Sequence, residues 1–97
     1  NKKIIIDVYA DWCVACQPIE KHILADAQIQ HALTDYYLIK LDLSDYDASH
    51  AELLKQWQIL GPPTFLFLNE DQQEQRHLRL TGSFSTQELQ QRLMGLE

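Results

Sequence analysis

The 97-residue chain predicts an α/β domain, a mixed four-stranded sheet with helices on both faces. Three observations lead there. Residues 4–10 and 64–68 are apolar almost throughout, as strands covered on both sides are. Capped stretches with helical spacing alternate with the strands in the order β-α-β-α-β-β-α. The only two cysteines, Cys13 and Cys16, have two residues between them where the first strand gives way to a helix, a spacing that belongs to redox sites.

Taken in order, residues 4–10 are β-branched and apolar and form the first strand. A helix follows over residues 14–24, with a local distortion expected at Pro18, which has no N–H to give. Asp26 caps a second short helical stretch through Leu33. Residues 36–43 alternate, with Tyr37, Ile39, Leu41 and Leu43 on one face. Ser49, with Glu52 three residues on, makes a capping box for a helix through Trp57. Gly61-Pro62-Pro63 breaks the chain before the third strand, residues 64–68. Residues 69–73 turn, and residues 75–81 alternate as a more exposed strand. Ser85 and Glu88 form a second capping box and open a last helix with Leu89 and Leu93 on one face. The first connections are long enough for parallel crossovers, and the turn after Leu68 suits an antiparallel hairpin.

Length supports one domain with a single modest core. Eight basic against fourteen acidic residues give a net charge of −6, which argues against nucleic acid as a partner, since phosphate binding needs clustered Lys and Arg. No apolar run reaches the ~20 residues a membrane helix requires, and these residues show no signal-peptide pattern, which carries little weight in a segment of a longer protein. The chain starts almost directly in a strand, which suggests a domain taken from a longer protein. A C-x-x-C pair closes too short a loop to staple a fold, so it reads as catalytic in either an oxidising or a reducing compartment. Zinc usually needs four ligands. There is no second C-x-x-C, and His22, His31, His50 and His77 have no ligand spacing and read as surface residues. No metal and no cofactor is expected.

Helix-start placement favours the thiolate of Cys13 and makes it the exposed nucleophile. Cys16, one turn on, is the resolving thiol. Asp7 interrupts the first strand on the face of Ile5 and Tyr9. There it would be partly buried with a raised pKa, unless that position opens to water. Glu20 lies four residues beyond Cys16, so it faces the same way along the helix or is a solvated surface acid.

The element order, the C-x-x-C after the first strand, Trp12 before it and Pro63-Thr64 about fifty residues on together resemble the thioredoxin superfamily over the whole chain. Tyr9-Ala10-Asp11-Trp12-Cys13-Val14-Ala15-Cys16, Glu20 and Leu60-Gly61-Pro62-Pro63-Thr64 look most like the C-terminal periplasmic domains of the DsbD family of bacterial thiol:disulfide interchange proteins. That resemblance implies a thioredoxin-like fold and a cis Pro62–Pro63 bond beside the sulfurs. It implies that Asp7 exchanges a proton with Cys16, and that Asp7 and Glu20 hold the Cys13 pKa up. It also implies a substrate-docking surface of Trp12, Pro62, Pro63 and Thr64. Pro62 departs from the family pattern because it cannot donate a main-chain hydrogen bond to a bound partner. Pro18 departs too.

The function implied is dithiol–disulfide exchange in a periplasmic domain of an inner-membrane protein. Such a domain accepts electrons from a transmembrane domain and passes them to a periplasmic protein disulfide. Its partners would be the other domains of a DsbD-like protein, and its only tie to the membrane would be the parent protein. The alternatives are a free-standing thioredoxin-like reductase and a non-catalytic interaction module. The intact cysteine pair speaks against the module.

Overall fold

A computed structural model describes residues 2–95. Four strands form one sheet: β1 (Lys3–Tyr9), β2 (Tyr36–Asp42), β3 (Thr64–Leu68) and β4 (Leu80–Thr81). Their spatial order is β2-β1-β3-β4. β1 runs parallel to β2 and antiparallel to β3, and β3 is antiparallel to β4. Four helices accompany them. α1 begins at Cys16–Pro18 and widens into a π turn over Ile19–Ile23; α2 is Ala27–Ala32, α3 Ala48–Gln56 and α4 Thr86–Leu93.

The helices flank the sheet on both faces. Ile19, Ile23 and Leu24 from α1 and its end, Ile29 of α2, and Leu89 and Leu93 of α4 pack with Ile5, Phe65 and Phe67 on one side. On the other, Leu54 of α3 and Ile59 pack with Val8, Leu43, Leu66 and both cysteines. Phe65 and Phe84 meet edge-on at 5.0 Å between ring centres, a favoured aromatic geometry.

Pro18 distorts its helix as expected. Gln17 N–H already takes the Val14 carbonyl at 3.1 Å, so the donor that Pro18 lacks is not missed, and the next turn closes with Leu24 N–H on the Ile19 carbonyl at 2.9 Å. The helix is also shorter at its start: Cys13, Val14 and Ala15 form a tight turn ahead of it. Asp26 caps α2 by accepting from Gln28 and Ile29 N–H at 2.9 and 3.1 Å. The Ser85–Glu88 capping box forms in both directions.

Three sequence expectations need correction. The cap of α3 is Asp47, not Ser49: its carboxylate accepts the His50 N–H at 2.9 Å and the Ser49 hydroxyl at 2.7 Å. A charged acceptor two residues upstream outcompetes a hydroxyl for the helix's unpaired donors. Residues 75–81 are not one strand. Arg76–Leu78 curl into a 3-10 turn, because Leu78 and Arg79 N–H bond locally to the Gln75 and Arg76 carbonyls. On β2 the alternation holds, but only Leu41 and Leu43 are covered. Tyr37 and Ile39 stay exposed, since β2 is an edge strand, while Leu41 and Leu43 join the cluster of Leu54 and Ile59. Finally, the connection through α3 is not a parallel crossover. Residues 43–63 instead leave and re-enter the sheet at the same end, so β3 starts where β1 finishes, with Thr64 opposite Val8.

Candidate active site

That topology gathers three chain segments at one end of the sheet: the exit of β1, the exit of β2 and the entry of β3. Tyr9 pairs with Asp42, and the Leu43 N–H closes on the Tyr9 carbonyl at 2.8 Å. Ser44 then braces the first loop. Its hydroxyl accepts the Asp11 N–H at 2.8 Å, and its carbonyl accepts the Trp12 indole N–H at 3.3 Å. Trp12 is thus held on edge while more than half of it stays exposed.

Cys13 and Cys16 are disulfide-bonded, with their Cα atoms 5.3 Å apart, inside the ordinary range for such a bridge. The Cys16 N–H bonds to the Cys13 carbonyl at 3.2 Å, which folds the two residues between them into a turn. Both cysteines are largely covered, Cys13 at 6% exposure and Cys16 at 1%. Cys13 is the more accessible, by a narrower margin than its place ahead of the helix suggests.

The third segment is Gly61-Pro62-Pro63-Thr64. The Pro62–Pro63 peptide is cis. Pro63 and Thr64 are buried and Pro62 partly so. The Thr64 hydroxyl donates to the Gly61 carbonyl at 2.7 Å, and the Pro63 carbonyl accepts from Gly82 N–H at 2.9 Å. Ile59, just before this loop, packs in one cluster with Cys13 and Cys16.

Asp7 is fully buried in β1, deeper than the sequence reading had it. No donor reaches either of its carboxylate oxygens. Its pKa is therefore raised from 3.8 to about 8, by burial first and by the neighbouring Glu20 carboxyl second, with Lys40 opposing part of the shift. The two carboxyls can share a hydrogen bond only when one carries a proton. Glu20 thus lies with Asp7 in one charge cluster. One of its oxygens is bound by Lys40 Nζ at 2.8 Å and the other is buried without a partner.

Lys40 is the residue that the sequence reading passed over. It stands opposite Asp7 in the parallel register, and its ammonium lies 5.5 Å from the Tyr9 ring centre, within cation–π reach. Glu20, by its hydrogen bond, holds the Lys40 pKa above the ordinary lysine value. The available signal was its position: Lys40 falls on the face of β2 opposite to Ile39 and Leu41, and a basic residue there answers an acid one strand over. Two apolar residues of the motif stand out into solvent. Val14, between the cysteines, is 85% exposed and Leu60, just before Gly61, 97%. His50, read as a surface residue, is half-buried, with Nδ1 3.7 Å from Asp47.

The sequence profile of a thioredoxin-like domain family matches residues 1–95. The chain belongs to the thioredoxin-like domain family. Among curated proteins it is similar to the thiol:disulfide interchange protein DsbD of Yersinia enterocolitica, at 40% identity over 96 residues, 99% of this chain and 17% of that protein. It is 43% identical to DsbD of Escherichia coli K12 over 82 residues, 84% of this chain and 14% of that protein. The chain thus spans well under a quarter of the length of these relatives. Among solved structures, the reduced C-terminal domain of Neisseria meningitidis DsbD superposes with a TM-score of 0.78 at 22% identity, covering 100% of this chain and 83% of that one. A Thermus thermophilus thioredoxin superposes with a TM-score of 0.80 at 22% identity, covering 97% and 72%. These two likenesses bear on the fold. The thioredoxin-like domain described here has the mixed four-stranded sheet with helices on both faces that the sequence implied.

Proposed function

We propose that this thioredoxin-like domain is a protein-disulfide reductase that relays electrons by dithiol–disulfide exchange, as one domain of a periplasm-facing membrane protein. The Cys13–Cys16 disulfide at the exit of β1 carries the reading. In the reduced domain, the Cys13 thiolate attacks one sulfur of a partner disulfide. The partner's S–S bond breaks, and its second sulfur leaves as a thiolate and takes up a proton. Cys16, deprotonated, then attacks the Cys13 sulfur of the mixed disulfide. This re-forms the Cys13–Cys16 bond and releases the partner as a dithiol. Two electrons have passed to the partner, and an upstream dithiol restores the domain by the same steps in reverse.

Asp7 is the proposed proton acceptor for Cys16 in the forward direction and its donor in reverse. A buried carboxyl with a pKa of about 8 suits that task, because a group that titrates near working pH can both take and give a proton. Glu20 raises the Asp7 pKa, and the negative charge the pair carries once Asp7 has given up its proton opposes an early thiolate at Cys13. The exposed apolar residues Trp12, Val14 and Leu60, with the partly exposed Pro62 backed by the buried Pro63 and Thr64, form the surface on which the partner docks. Similarity to DsbD over 14–17% of its length supports an electron source in another domain of the same protein, a periplasmic setting and an inner-membrane anchor outside this segment. Among the described residues, no helix is long and apolar enough to cross a membrane.

The test is trapping. Cys16→Ser should accumulate a mixed disulfide between Cys13 and a protein substrate, seen on a non-reducing gel, and Cys13→Ser should not. Equal trapping by the two variants would overturn the assignment of roles.

A further inference from the structure

Behind the Leu60–Thr64 loop lies a polar assembly that the exchange chemistry does not use. Arg79, directly before β4, has a side chain only 8% exposed. Its guanidinium makes four hydrogen bonds. Nε and Nη2 grip both oxygens of Glu74 at 2.8 and 2.7 Å, while Nη1 and Nη2 donate to the Gln58 and Trp57 carbonyls at 2.9 and 3.0 Å. Those carbonyls belong to the end of α3, where a helix leaves acceptors without intrahelical partners.

That helix end is unusual in its chemistry. Ile59 N–H returns to the Leu54 carbonyl at 2.8 Å and Gln58 N–H to Lys55 at 3.2 Å, the paired bonds of a Schellman ending. The position that must turn left-handed is normally glycine. Here it is Gln58, with φ of 56°, a conformation that a side chain disfavours. Arg79 holds its carbonyl, and Arg76 Nη1 holds its side-chain oxygen at 2.7 Å. The far end of the loop is held from the same segment, through Gly82 N–H on the Pro63 carbonyl at 2.9 Å. Residues 59–62 are therefore strung between two anchors, and both anchors come from residues 76–82.

We propose that Arg79 is a positioning residue for disulfide exchange: it fixes the exit of α3 and so sets the Leu60–Thr64 loop at the height and angle at which a protein disulfide docks over Cys13. A guanidinium is needed because it serves a carboxylate and two carbonyls at once from one planar fork, which an ammonium cannot do. The proposal rests on the reading of that loop as a docking surface. It separates protein substrates from small ones, since a small disulfide needs only the Cys13 sulfur and no loop.

The experiment compares insulin, as a protein disulfide turned over by catalytic amounts of the chain with excess dithiothreitol to re-reduce it, with dithiobisnitrobenzoate, as a small aryl disulfide mixed with the reduced chain alone. Arg79→Gln should raise KM for insulin on the order of tenfold, as misplacement of a positioning surface does. Its kcat and its aryl disulfide rate should stay within about twofold. Arg79→Lys, which keeps the charge but not the planar fork, should reverse only a small part of the rise in KM. An unchanged insulin KM in folded Arg79→Gln, or a parallel fall with both substrates, would overturn the proposal, the second result marking a merely structural role. If Arg79→Gln does not fold, Glu74→Gln takes its place. It leaves Arg79 its two carbonyls but weakens the fork, so KM should rise by a smaller factor, and an unchanged KM overturns the proposal. Leu60→Ala distinguishes the two layers. If it leaves the insulin KM unchanged, the docking reading itself fails; if it raises KM while Arg79→Gln does not, only the role of Arg79 fails.

Discussion

Asp7→Asn should change how the stability of this domain depends on pH. The Asp7 carboxyl is raised from 3.8 to about 8 by burial first and by Glu20 second. The sign follows from which state binds the proton. Between those two values the folded chain keeps a proton that the unfolded chain releases, so stability is full below about pH 4 and falls as pH rises through 8. Each pH unit in that window costs about 1.4 kcal/mol, and the window of about four units totals about 6 kcal/mol. That is large against the roughly 5–15 kcal/mol that holds a domain together. Asparagine has nearly the same shape and cannot ionise. Its amide lands where no donor reaches Asp7, a pH-independent cost of about 1–3 kcal/mol. The diagnostic is therefore the slope and not the level. Urea unfolding of the disulfide-bonded protein at pH 5, 6.5 and 8 removes thiol titration from the measurement. Wild type should lose several kcal/mol across that range, and Asp7→Asn should lose far less, so that the variant gains on wild type with each step upward. Parallel curves for the two proteins would refute the argument that Asp7 is buried with its proton.

Neighbours of Asp7 should move this window in opposite directions. Glu20→Gln removes a group that raises the Asp7 pKa and should end the decline in stability at lower pH, while Lys40→Met removes the group that lowers it and should extend the decline upward. The same unfolding series reads both, and shifts in one common direction would exclude a charge cluster. Glu20→Gln should also lower the Cys13 pKa in a thiolate absorbance titration of the reduced protein, since a nearby negative charge is lost. At the start of α3, Asp47→Ala should cost about 1 kcal/mol through loss of the cap, while Ser49→Ala should stay within about 0.5 kcal/mol. A larger loss from Ser49→Ala would restore the hydroxyl as the cap.

Much of this molecule is legible in local chemistry. The β-branched run of β1, the apolar β3, the Asp26 cap and the Ser85–Glu88 box each depend on residues within a few positions of one another, and each formed where the pattern placed it. The C-x-x-C spacing likewise states its own chemistry, because two sulfurs three residues apart can bridge only at a turn. An acid inside an apolar strand announces a raised pKa in advance of any structure, and only the degree of burial was underestimated.

What the sequence by itself determined were the elements whose causes lie along the chain: strand and helix identity, most caps, the redox pair and the acid behind it. Tertiary structure alone decided the relations between elements distant in sequence. The parallel register of β1 and β2 sets Lys40 opposite Asp7, 33 positions away, and no local period encodes that distance. The edge position of β2 leaves Tyr37 and Ile39 exposed although their alternation matches that of the covered Leu41 and Leu43. The segment 75–81 has a strand's alternation, yet Arg79 turns inward to Glu74 and to the end of α3, and local turn bonds replace the ladder. In each case the free energy of the choice lies in a contact across the fold, so it becomes readable only once the fold has brought the two sides together.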